Sequence, residues 1–100
     1  MNYATIFQAP VDAMINFYTK DPVKTAQDLA MKDGYADIFA VPCDLKGEEA
    51  AEEMFDLSNN PCRDAERAEK WGRRRSLSVG DVVHVNDESW LCCSMGWQKL

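Results

Sequence analysis

Residues 73–85 read RRRSLSVGDVVHV, and the point at which this stretch changes character decides the fold. It is basic as far as Arg75. From Leu77 onward apolar residues alternate, and Gly80 and Asp81 supply a turn just before the β-branched run VVHV. A turn that feeds an alternating run predicts a strand. The residues that follow, a turn around NDES and then WLCC, complete a β-hairpin, and Gly96 bends the chain into a last extended piece, WQKL. The glycine implies no phosphate site, because without a GxGxxG or GxxxxGK pattern it offers no cradle of amides.

Upstream of this hairpin the pattern is mixed. NYATIFQA sets Tyr3, Thr5 and Phe7 on one side and Ala4 and Ile6 on the other, which predicts a first strand ended by Pro10. Val11, Met14, Ile15 and Tyr18 recur at helical spacing. A cleaner helix follows, with Asp21 as cap, Pro22 in its first turn, Val23, Ala26, Leu29 and Ala30 on one face, and Gly34 as its stop. YADIFAVPC is apolar on both faces, which predicts a strand in the middle of the sheet ending before Pro42. Residues 47–57, GEEAAEEMFDL, carry two stripes: Ala50, Ala51, Met54 and Phe55 on one, and Glu48, Glu49, Glu52, Glu53 and Asp56 on the other. After them Asn60 caps and Pro61 starts a second short helix that Gly72 ends, with Glu66 and Lys70 paired across one turn. The expected fold class is α+β: one domain, residues 1–100, with a small antiparallel sheet, a C-terminal β-hairpin and helices packed on one face.

Composition sets the outer limits. At 100 residues, 46% apolar and 28% charged, the chain can bury one modest core without a metal or disulfide staple. No apolar run approaches the length of a membrane helix, and MNYATIFQAP lacks the basic start and long apolar stretch of a secretion signal, so no membrane partner and a cytoplasmic location in the host cell are expected. Cys43, Cys62, Cys92 and Cys93 have no repeated spacing and two are adjacent, which predicts reduced thiols. Neither a cofactor nor a metal is expected.

The charge is uneven. Residues 1–60 hold eleven acids against four lysines, so this part carries the whole net charge of -6. The pairs Glu48 with Glu52, Glu49 with Glu53, and Glu52 with Asp56 are like charges one helical turn apart, each costing roughly 0.2–0.5 kcal/mol. Two readings stand. The face is simply solvated, screened by salt or neutralised by the arginines after Cys62. Alternatively it imitates the phosphates of a nucleic acid and docks on a basic groove of another protein. Catalysis by these carboxylates would require one of them desolvated in a cleft, which a row of exposed glutamates does not provide.

Arg73, Arg74 and Arg75 are the candidate nucleic-acid patch, with Trp71, Trp90 and Trp97 as stacking aromatics or as core. In an extended chain Arg73 and Arg75 point one way and Arg74 the other, so only part of the triplet shares a surface. His84, the single histidine, falls at the outward position between Val83 and Val85. It could meet Cys92 or Cys93 across the hairpin, but no CxxC or HxxxH spacing accompanies it.

AEEMFDLSNNP, then RRRSLSVGDVVHV, then an aromatic-containing strand and GWQKL resemble a family of small proteins encoded by phages, plasmids and other mobile elements, and more distantly the YodL-like segments of larger mobile-element proteins. The matching positions are Phe55, Leu57, Ser58, Asn59 and Asn60, then Arg75, Ser76, Ser78, Val79, Gly80, Asp81 and Val82, and lastly Gly96 and Trp97. The rest of the arginine triplet and the Cys92–Cys93 pair depart from the pattern. The resemblance implies a mobile-element origin rather than an activity. With it, the expected function is that of a non-enzymatic accessory protein of the inhibitor or anti-defence type. It would bind and occlude a basic surface of a host or defence protein through Glu48, Glu49, Glu52, Glu53 and Asp56. The alternative is a small nucleic-acid-binding module built on Arg73 to Arg75.

Overall fold

The computed structural model describes residues 2–100. In chain order the elements are β1 (Tyr3–Gln8), α1 (Asn16–Thr19), α2 (Pro22–Met31), β2 (Asp37–Pro42), α3 (Gly47–Asn59), α4 (Asp64–Lys70), β3 (Val82–Val85), β4 (Glu88–Cys93) and β5 (Gly96–Lys99), with single 3-10 turns at Val11–Ala13 and Pro61–Arg63. The strands make one antiparallel sheet in the order β2-β1-β3-β4-β5, so the class is α+β with the expected C-terminal hairpin. Asn86 and Asp87, both at positive φ (50° and 64°), form the two-residue turn between β3 and β4. Such turns match the right-handed twist of the strands they join.

β2 is an edge strand, not the central one expected from its apolar run. Phe39 and Val41 are buried, whereas Ile38 and Ala40 face the other way and are exposed. An edge also tolerates Pro42, which has no amide to give to a neighbour.

The helices, expected on one face, divide between both. On one side Ala50, Ala51, Met54 and Leu57 of α3 pack with Ala4, Ile6, Val41, Val83, Val85 and Cys92, closed by Trp71 and Leu77. On the other, Phe17 of α1 and Ala26 of α2 pack with Ala9, Val82 and Leu91, with Phe7, Val23, Leu29 and Tyr35 at the margin. Consecutive strand residues point to opposite faces, and Ile6–Phe7, Val82–Val83 and Leu91–Cys92 are apolar at both positions, so these strands need cover on both sides. The second cover is partial, leaving Tyr3 53% and Ile38 52% exposed.

Trp71 anchors the first core. It is fully buried, meets Phe39 edge to face at 5.0 Å, and donates its Nε1 hydrogen to the Arg75 carbonyl at 2.9 Å. Edge-to-face pairs of this kind add about 0.5–1.5 kcal/mol beyond the area they bury. Within α3 the buried stripe is Ala50, Ala51, Met54, Leu57 and Ser58, while Phe55, expected on it, stands 40% exposed. Phe55 follows Ala51 by four residues, so at 100° per residue it falls at the far margin of the stripe, beside Glu48 and Glu52.

Candidate partner-binding surface

α3 presents its five predicted carboxylates to solvent, but they are not equivalent. Arg63, in the 3-10 turn after α3, reaches back to Glu53 (2.8 Å) and Asp56 (2.9 Å) and also holds Glu66 (2.9 Å). The neutralisation by arginines after Cys62 therefore applies to the α4 side of the helix. Glu48, Glu49 and Glu52 are exposed, and none of them forms an ion pair among the described residues. These three are the part of the acidic face without an ion-pair partner, and the helix dipole favours Glu48 and Glu49 in the first turn.

The arginine triplet is taken apart by the fold. Arg75 binds the buried Asp81 through both terminal nitrogens at 2.7 Å and also donates to the Ala9 and Ser76 carbonyls. Arg74 pairs with Asp37 at 2.8 Å, lies 4.0 Å over the Phe39 ring and donates to the Trp71 carbonyl. Arg73 alone is exposed with no partner among the described residues. Trp71 is core, so the aromatic expected beside the triplet is also unavailable for stacking on a base.

The two stretches that carry the resemblance meet in space. Ser58 Oγ accepts from the Leu77 amide at 3.0 Å, its carbonyl accepts from Ser76 Oγ at 2.6 Å, and Asn59 Nδ2 donates to the Leu77 carbonyl at 3.0 Å. Arg67 joins them, donating to the carbonyls of Ser58, Gly72 and Arg74. Asp81 then ties the loop to the end of β1, accepting from the Ala9 and Ser78 amides at 2.9 Å each. Sequence reasoning missed the part of Arg67, whose guanidinium spends all three of its contacts on main-chain oxygens.

His84 is half-buried, and its Nδ1 lies 2.8 Å from Ser89 Oγ on the paired position of β4. No carboxylate appears among its hydrogen-bond partners in the described residues, and Cys92 points to the opposite face of the sheet. Among the described residues no group of three or more His, Cys, Asp or Glu side chains could hold a metal ion. The four cysteines are free thiols; burial raises Cys93 and pushes Cys92 up to about 12, with the Asp81 charge adding to the latter. A thiol so raised is neutral at ordinary pH and serves as packing rather than as a nucleophile.

Beside the acidic face a cleft of about 210 Å³ opens between α3 and the β4–β5 hairpin, walled by Glu52, Phe55, Cys92, Cys93 and Trp97. Its signal in the sequence was the angular position of Phe55 at the border of the acidic stripe.

These features define a class: an α+β domain with one helix that displays carboxylates without an ion-pair partner among the described residues, beside an apolar cleft. No family model matches the chain, and neither does any curated protein or solved structure. Among the described residues no helix is long and apolar enough to cross a membrane.

Proposed function

We propose that this chain is a non-enzymatic accessory protein of a phage or other mobile element, acting in the host cytoplasm. It binds and occludes a basic surface of a host or defence protein, in the manner of an inhibitor that imitates nucleic acid. The origin rests on the resemblance of residues 55–60 and 75–82, and the mode of action on one observation. Glu48, Glu49 and Glu52 stand on the solvent side of a well-packed helix with no ion-pair partner among the described residues. Glu53 and Asp56, bound to Arg63, contribute to the field but are not free to rearrange around a partner. A rigid row of like charges steers a cationic surface toward it, and that steering weakens with salt.

The test is affinity capture from the natural host followed by binding measurements on the captured protein. Wild-type affinity should fall with rising salt and fall again in the Glu48→Lys, Glu49→Lys, Glu52→Lys variant. A partner whose affinity ignores both manipulations would sink the proposal. The module built on Arg73 to Arg75 predicts salt-sensitive gel shifts of DNA or RNA instead. With Arg74 and Arg75 engaged inside the molecule, it has one arginine unpaired among the described residues left to work with.

A further inference from the structure

We infer that the partner segment received by the acidic face of α3 is cationic and also carries an apolar anchor side chain, which inserts between Phe55 and Trp97. This rests on the reading of that face as a partner-binding surface and adds the chemistry of what it takes.

The cleft and the acidic groove adjoin at Glu52, which lines both. Phe55 follows Glu52 by three residues and Glu48 by seven, so the exposed ring stands in line with two of the unpaired carboxylates. Across from it Trp97 is half-buried against the core, and Met95, in the turn between β4 and β5, is 96% exposed. The rim is open at Gly96, where a Cβ would find nothing within 4 Å. At about 210 Å³ the space is several times the ~30 Å³ share of one water molecule in the liquid. It has room for an aliphatic side chain.

Charge selects the occupant. Among the described residues neither the cleft nor the acidic groove is lined by a lysine or arginine, so an apolar group entering there brings its neighbours close to Glu48, Glu49 and Glu52, which have no ion-pair partner. A nucleic-acid strand or an acidic peptide is repelled, and a purely apolar segment leaves Glu48, Glu49 and Glu52 unpaired. A leucine or similar residue flanked by lysines or arginines satisfies both parts. The buried thiol of Cys92, kept protonated by its surroundings, presents an uncharged wall to that side chain.

The experiment titrates isotope-labelled protein with two synthetic peptides, one with a leucine between two pairs of lysines and the other with serine in its place. The leucine peptide is expected to shift the Trp97 indole and the amides of residues 92–97 together with those of Glu48 and Glu52. It should bind roughly tenfold more tightly than the serine peptide, in line with partial burial of one aliphatic side chain. Phe55→Ser, at an exposed position, should abolish that difference and leave the salt dependence of both peptides unchanged. Equal, salt-sensitive binding of the two peptides by the wild-type chain overturns the anchor while sparing the acidic-face reading. Shifts centred on Tyr3 and Ile38 also overturn it. Binding of neither peptide overturns both.

Discussion

Arg75 grips Asp81 through two 2.7 Å bonds, and the carboxylate it holds is fully buried. The same carboxylate accepts the amides of Ala9 and Ser78, so one side chain joins the end of β1, the 76–81 loop and the start of β3. Its cost of burial is offset only while all four donors are present. Asp81→Asn keeps the shape but turns an amide hydrogen toward a donor and leaves Arg75 without its counter-charge. Arg75 is 29% exposed, so water recovers part of that charge, and the expected loss is about 3 kcal/mol, at the lower end for breaking a buried pair. Arg75→Ala, which strands the fully buried partner instead, should lose at least as much, and the double variant less than the sum. Urea unfolding measures all three. An Asp81→Asn protein as stable as wild type would show that the pair does not lock the loop.

Gly80 lies against Phe17, and this contact carries the second prediction. Its φ is +97°, and a Cβ there would sit 2.6 Å from Phe17 Cδ2. Gly80→Ala therefore combines a backbone penalty of roughly 1–2 kcal/mol with an overlap costing roughly 1–3 kcal/mol in a packed core. Phe17→Ala removes the overlap but not the strained φ. Gly80→Ala should accordingly cost less in the Phe17→Ala background than in the wild type, a non-additivity readable from denaturation midpoints. Equal costs in the two backgrounds would mean that the loop moves away from Phe17 without penalty.

The hairpin, α2 and α3 were legible because their signals are local. Asp21 does accept from the Val23 and Lys24 amides, and Glu66 does meet Lys70 one turn away. The edge position of β2 and the helices on both faces were not legible, since strand order depends on pairings such as Phe7 with Ile38 and Phe7 with Val82 that no local pattern states. The two-sided burial did leave a trace in the doubled apolar residues Val82–Val83 and Leu91–Cys92. For the candidate site, three adjacent arginines look alike in sequence. What separates them is the company of Asp37, Phe39 and Asp81, and two of these lie far away along the chain. The acidic stripe divides for the same reason, because only the fold shows that Arg63 reaches Glu53 and Asp56 and leaves the other three carboxylates alone.

Stability should fall in alkali, for a reason located at Cys92. Burial lifts this thiol from an ordinary value of 9.0 to about 12, and burial likewise raises Tyr35, whose hydroxyl donates to the Gly80 carbonyl at 3.0 Å. Between 9.0 and about 12 the unfolded chain releases the Cys92 proton while the folded chain retains it. The folded state then binds more protons than the unfolded one, so unfolding becomes easier as pH rises. Below 9.0 both states hold the proton and the thiol adds no slope. The urea midpoint should thus be insensitive to this group near neutrality and decline through the alkaline window. Cys92→Ala should lower stability near neutrality by the small cavity it leaves, yet flatten the alkaline decline, and the slope is the diagnostic quantity. Alkylation gives an independent reading: exposed Cys62 should react in the folded protein, whereas Cys92 should react only at the rate at which the chain opens. An alkaline slope unchanged by Cys92→Ala would assign the decline to other groups, Tyr35 first among them.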